Sequence, residues 1–362
     1  MSGGISGFNG FGQLRCFYNF VKEINQDENS LNDARSGKMS SDGDNSSTIT
    51  LRFNSFPDNL KNSFLLSWSY CLSYQGDSLW LFGYVGGNAN SFINLKLPNG
   101  KKIHQVSCSR RHVVCVTEVG GCWQYNLMTG LWKDLRGVLT TEQSIDAAVP
   151  ESVLKVSCGE TVIAVLTEKG SVYNMPNKLD MRGEKIVDMA CGRSHILMLS
   201  ERGEVFSVGE GSRGQLGHGE LEDEEEPRLV EALAGLVVVA VACGGWHSCA
   251  LTADGDLYSW GWNMAGQLGL LNQEPRGKVS VQAVPQVVDW LDQSGVQVSQ
   301  VACGARHTVV LLDDGSVWGC GWNGYGQLAL AGMDSVDHMT RLSADGNVQR
   351  IVCGPWSTCF IT

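Results

Sequence analysis

The stretch ACGGWHSCALTADGDLYSWGWNMAGQLG, Ala242 to Gly269, decides how the chain is read. Two other segments lie over it without gaps: ACGRSHILMLSERGEVFSVGEGSRGQLG from Ala190, and ACGARHTVVLLDDGSVWGCGWNGYGQLA from Ala302. In each, the Leu of GQL follows the Cys by 25 residues: Cys191 to Leu216, Cys243 to Leu268, Cys303 to Leu328. Weaker copies start at Val106, Val156 and Phe64, and the chain ends on a partial one, VCGPWSTCFIT. Counting the heads of these copies gives seven, near Ser67 and at Cys108, Cys158, Cys191, Cys243, Cys303 and Cys353. Their spacing, roughly 33 to 60 residues, suits propeller blades carrying loop insertions.

Each copy reads as a strand, a turn, a second strand and a Gly-rich connection. The turns are TEKG, SERG, TADG and LDDG. Asp-Gly between alternating apolar residues is a strong hairpin signal, because the favoured two-residue turns need positive φ. A lone hairpin of this kind cannot cover both of its faces, whereas stacking copies around a ring covers each with its neighbours. The opening segment GFNGFGQL, Gly7 to Leu14, repeats the GWNGYGQL of Gly321 to Leu328. It supplies what the last copy lacks. The expected fold is therefore all-β: a seven-bladed β-propeller, one domain over 1–362, closed by N- and C-terminal strands that share one blade. Closure in this way also removes exposed strand edges.

Composition agrees. Of 362 residues, 43% are hydrophobic and 18% charged, and 44 are Gly, which favours a turn-rich, strand-rich protein over a helical bundle. The net charge of −11 makes bare DNA a poor partner. No apolar run of membrane-spanning length and no basic-then-apolar leader occur, so the expectation is a soluble, intracellular chain with no membrane partner. The 13 cysteines include no Cys-x-x-Cys pair and read as reduced, buried thiols. Residues 25–50 are polar and read as a flexible insertion, 271–297 as a surface insertion with one short strand, and the stretch from Leu135 as a third irregular part.

The pattern A-C-G-x-x-H, then G-x-V/L, then G-x-N-x-x-G-Q-L-G resembles the regulator of chromosome condensation repeat. The resemblance extends from Gly7 to Thr362. It implies the same fold, a seven-bladed propeller closed by its two ends. It is tightest to an adaptor member of the family. From that it implies a nuclear protein, with cytoplasmic presence left open, which associates with a JmjC-type 2-oxoglutarate-dependent oxygenase and with histones or chromatin, and which affects histone methylation and chromosome segregation. The founding member's activity, guanine-nucleotide exchange on a small nuclear GTPase, is the alternative. The irregular repeats between Gly121 and Asp188 offer no clear counterpart of an exchange wedge. A third reading, an accessory to a ubiquitin ligase, would need its activity from a partner.

No catalytic constellation, P-loop or zincin motif occurs, so no enzyme activity, cofactor or small-molecule substrate is expected. His112, His195, His247 and His307 recur four residues after a Cys, but Cys158 has Val162 there and Cys353 has Ser357. A position that changes type between copies reads as structural, so no metal is assigned: the His ties a strand by a hydrogen bond and the Cys is a small buried hydrophobe. The residues between CG and His differ from copy to copy and are rich in Arg and Trp, the types that anchor interfaces. Arg111, Arg193, Trp246, Arg306 and Trp356 are thereby expected at equivalent places near one mouth of the ring, as a partner-binding face. The competing reading leaves each Arg solvated and each Trp covering the blade. The acidic run Glu222, Asp223, Glu224, Glu225 and Glu226 offers a second candidate, a loop that meets a basic segment such as a histone tail. An ordinary solvated loop is its alternative.

Overall fold

In the computed structural model the described residues are 3–8, 48–53, 63–85, 88–139, 151–270, 280–289, 295–344 and 347–362. They form seven four-stranded antiparallel sheets. Blade 1 begins at Phe64, blade 2 at Ile103, blade 3 at Val153, blade 4 at Ile186, blade 5 at Val238 and blade 6 at Val298. Blade 7 combines Arg350–Gly354 and Ser357–Ile361 with Gly3–Phe8 and Thr48–Phe53. Gly7 lies opposite Ser357 and Gly3 opposite Ile361, so the two ends of the chain do share a blade. Most of the polar segment 25–50, and residues 9–14 of GFNGFGQL, fall outside the described residues.

Each blade holds four strands where the motif displays two. The strand that ends on the Cys, for example Val238–Cys243, is the innermost. From blade 2 to blade 7 the innermost strands of successive blades pack on one another, Arg350–Gly354 packs on Phe64–Leu66, and Tyr70–Gln75 of blade 1 packs on Ile103–Cys108 to complete the circle. The second strands His195–Ser200, His247–Thr252 and His307–Leu312 are buried at every position. They are covered on both faces, which is why their sequences run apolar without alternation. The apolar clusters lie between neighbouring blades: one joins Leu197 and Leu199 of blade 4 to Ala250 and Trp260 of blade 5, another joins Leu311 and Val317 of blade 6 to Ile351 and Phe360 of blade 7. Fourth strands are the most variable in sequence. Val281–Val287 serves as one, inside 271–297, and Glu224–Leu229 as another. That placement corrects the acidic loop: Glu224, Glu225 and Glu226 are the start of a strand, and only Glu222 and Asp223 precede it.

Candidate functional site: the arginine and tryptophan mouth

The Cys-Gly-x-x-His loops join first to second strands, and the Asn-x-x-Gly-Gln-Leu loops follow the third, so both kinds emerge on one face of the ring. Close packing fixes their sequence. A Cβ on Gly244 would lie 2.0 Å from Cε1 of His247, so the ring of the His occupies the space beside that Gly. Gly261 has φ +104°, and a Cβ there would meet the carbonyl oxygen of Trp246 at 2.6 Å. Both conditions leave room for Gly alone.

The His does more than tie its own turn. Nε2 of His195 lies 2.9 Å from Oγ of Ser248 in the next blade, and that hydroxyl donates to the carbonyl of Gln215 at 2.8 Å. His247, Thr308 and Gln267 repeat the arrangement at 2.9 and 2.7 Å. His307 reaches Thr358 at 3.1 Å. Because the hydroxyl donates onward, it accepts from Nε2–H. Burial holds His195 and His307 neutral, with pKa values lowered to about 3. The structural assignment of the His thus carries an inter-blade bond as well. His247, Cys249 and Cys303 place donor atoms within 4.8 Å of one another, a set able to ligate a metal. The imidazole Nε2 there is already committed to Thr308, in the geometry of the blades that have no second thiol. The loop cysteines line the channel mouth, and burial pushes Cys108 and Cys191 up to about 11, so those two behave as inert small side chains, whereas Cys303, hydrogen-bonded to Cys249 at 3.7 Å, is shifted downward.

Backbone bonds stitch these loops around the rim: Glu160 N–H to Arg193 O at 2.8 Å, Arg193 N–H to Gly245 O at 3.2 Å, and Ala305 N–H to Pro355 O at 2.8 Å. They bound a cavity of about 460 Å³ at the channel mouth. Four of the five residues expected there line it: Arg193, Trp246, Arg306 and Trp356. Arg110 takes the place of the fifth, and Arg111 is exposed beside it.

The side chains form one continuous stack. Arg193 lies over Trp246 at 4.8 Å and Trp246 meets Trp262 edge-on at 5.3 Å. Arg306 lies over Trp262 at 4.8 Å and beside Trp356 at 5.9 Å. Trp356 in turn meets Trp68 at 5.0 Å and Trp322 at 4.9 Å, both edge-on. Arg213 also lies over Trp262, at 5.3 Å. Guanidinium over indole is favourable and holds each planar cation in a defined direction. Sequence reasoning missed Trp68, Trp262, Trp322 and Arg213. The signal for two of them is the Trp of Gly-Trp-Asn, which repeats at the same distance before GQL. Trp260, two residues earlier, is the true core residue, fully buried and donating to Gln215 O at 2.9 Å.

The acidic run sits on the outer edge of this face. Asp223 accepts from Gly211 N–H at 2.8 Å, and Arg228 pairs with Glu220 and Glu224 at 3.1 and 2.8 Å. Glu222, Glu225 and Glu226 are exposed.

The regulator of chromosome condensation (RCC1) repeat family matches residues 202–251, 254–311 and 314–361, and a second description of the same repeat matches 186–215, 238–267 and 298–327. Residues 186–361 of this chain are RCC1 repeats. Human RCC1 domain-containing protein 1 is 38% identical to it over 188 residues, which is 42% of this chain and 50% of the relative. The chain spans about half the length of the human and mouse relatives it matches in this way. Among solved structures, human WBSCR16 superposes over 100% of both chains with a TM-score of 0.76 at 19% identity. Prp20p of Saccharomyces cerevisiae, described with its binding properties to Gsp1p and histones, covers 82% of this chain and 81% of its own with a TM-score of 0.67 at 17% identity. At these identities the structures establish a shared RCC1-type propeller.

Proposed function

We propose that this RCC1-repeat propeller is a non-enzymatic scaffold that captures a partner protein at the arginine and tryptophan mouth. One observation carries the reading: five blades contribute Arg and Trp side chains to a single stack on a rim already held by blade-to-blade backbone bonds. Arg and Trp dominate the energetics of protein interfaces, and a rim that needs no reordering loses little entropy when a partner docks. The resemblance to adaptor members of the family makes that partner a JmjC-type 2-oxoglutarate-dependent oxygenase in the nucleus, with effects on histone methylation and chromosome segregation following from it. Glu222 and Glu225, at the outer edge of the same face, suit a basic histone segment as a second contact.

The test is capture from nuclear extract by the tagged chain, with a Trp246→Ala, Arg306→Gln variant alongside and the bound proteins identified by mass spectrometry. Stoichiometric retention of a JmjC oxygenase by the wild type, lost in the folded variant, is the expected result. A second reading has support in Prp20p, which shares the fold and binds Gsp1p. If the main captured protein is a small GTPase in its nucleotide-free form, guanine-nucleotide exchange replaces the adaptor role.

A further inference from the structure

The mouth contains donors that lack acceptors. Nε of Arg306 and Nε1 of Trp356 are both buried, and neither has a hydrogen-bond partner among the described residues. Trp356 is only 9% exposed, yet both residues line the cavity. A buried N–H without an acceptor costs free energy, so in a native protein it calls for a water, an ion or a ligand group to accept from it. The local charge has one sign. Arg110, Arg193 and Arg306 line the cavity against a single carboxylate, Glu160, which is bound to Arg193 at 3.0 Å. Arg306 forms no ion pair among the described residues. Its guanidinium is held between Trp262 and Trp356, so its direction is set before any ligand arrives.

From this we infer that the mouth is a carboxylate-binding site that takes an acidic segment of the partner protein, the carboxyl group accepting from Arg306 and Trp356. The inference rests on the scaffold reading above and adds the chemistry of what docks. Two features choose an acidic peptide over a polyanion. The net charge of −11 over the whole chain repels an extended phosphate backbone more than a short segment that places a single carboxylate in the mouth. The walls beside the two donors include the indole rings of Trp68 and Trp246, which can bury the apolar side chains that flank a carboxylate in a peptide. On the outer edge, Glu222 and Glu225 repel the same segment and confine it to the mouth.

The experiment uses the full chain and a fluorescein-labelled peptide of repeated Glu-Leu-Gly units, read by anisotropy at low and moderate salt. The controls are the same peptide with Gln, and with Lys, in place of Glu. The Glu peptide should bind at least about tenfold more tightly than the Gln peptide, with the Lys peptide weaker still, and the difference should shrink with salt. Arg306→Gln should cost about tenfold and Trp356→Phe, which keeps the ring and removes the N–H, about threefold. Lys169→Gln, in a turn on the opposite face, should change nothing. Should Arg306→Gln fail to fold, Arg110→Gln with Arg213→Gln alters side chains that are already exposed, and should weaken the Glu peptide and flatten its salt dependence. Equal binding of the Glu and Gln peptides, or unchanged binding by folded Arg306→Gln, overturns the proposal. The two readings separate cleanly. Loss of the nuclear partner in the variant without Glu-peptide binding to the wild type keeps the docking face and overturns the carboxylate chemistry. Glu-peptide binding abolished by Arg306→Gln, with nuclear capture intact, keeps the carboxylate site and removes the mouth as the place of capture.

Discussion

Blades 4 to 6 and blades 1 to 3 solve the same problem with different residues. In blades 4 to 6 the link to the next blade is the His to hydroxyl bond, backed for His195 and His247 by the carbonyl of the Gln of GQL. In blade 1, Tyr70 stands where the His would be and donates to Ser109 O of blade 2 at 2.7 Å. Blade 2 has His112, but blade 3 offers Ile163 in place of a hydroxyl, so the link rests on Gln105, the counterpart of Gln300, which in blade 6 pairs with Ile351 in addition to the His bond. Nε2 of Gln105 donates to Val156 O at 3.2 Å and its Oε1 accepts from Val156 N–H at 2.8 Å. What the ring requires is a buried polar bond between neighbouring blades, and the residue that supplies it is free to change. The repeat fades from the sequence in blades 1 to 3 while the architecture persists. The mouth follows the same division: its cation–π stack starts at Arg193 of blade 4 and runs through blade 7, with Trp68 of blade 1 as its far end.

Acid should expose this difference most strongly. An unfolded His takes a proton near pH 6.5, whereas His195 and His307 in the fold resist protonation down to about 3. The native state therefore binds fewer protons in this window, and stability falls as pH drops from about 6.5 towards 3. Each His contributes a slope on the order of 1.4 kcal/mol per pH unit. Hydrogen exchange at pH 5 should show blades 4 to 6 opening before blades 1 and 2; the opposite order would break the comparison.

A next smaller effect separates two glycines. Gly261→Ala places a methyl group against Trp246 O at a φ of +104° and should cost about 3 kcal/mol in urea denaturation. Gly76→Ala, in a blade 1 turn with open space around it and φ +61°, should cost about 1 kcal/mol. Equal costs would mean that the close loop packing of blade 5 has no energetic weight.

Removing the link itself tests its value. His195→Ala should lose about 2 kcal/mol, since Ser248 keeps only its bond to Gln215 and a buried cavity is left. His112→Ala, with no hydroxyl opposite, should lose less than about 1 kcal/mol. The smallest stability effect is at the mouth. Trp246→Ala should lower stability by about 1 kcal/mol or less, because the ring is only partly buried, while removing the surface on which Arg193 rests.

These contrasts also show which parts of the fold are visible before any coordinates. The Cys-to-Leu interval of 25 residues fixed the blade unit, because it spans a loop, a hairpin and a loop that all pack tightly and tolerate no insertion. Of the fourth strands, Val281–Val287 was legible only as one short strand within a surface insertion, and Glu224–Leu229 was read as an acidic loop. They pair on one side only, carry polar residues, and follow connections of varying length. At the site, Arg193, Trp246, Arg306 and Trp356 were legible from their place between Gly and His. Trp262 and Trp322 were hidden because they stand in a third-strand motif that also contains the core residue Trp260. Only the fold tells the inward indole from the outward one. The hydroxyl partners Ser248, Thr308 and Thr358 left a trace that only hindsight picks out: each follows a blade whose own loop ends in His.

The central claim is that a partner protein is held at the arginine and tryptophan mouth. Its most direct test compares quantitative capture from nuclear extract by the wild type, by folded Trp246→Ala, Arg306→Gln and by Lys169→Gln on the opposite face. The account predicts one stoichiometric partner retained by the wild type and by Lys169→Gln, and lost from the mouth variant. Retention of that partner by the mouth variant at wild-type level would contradict it.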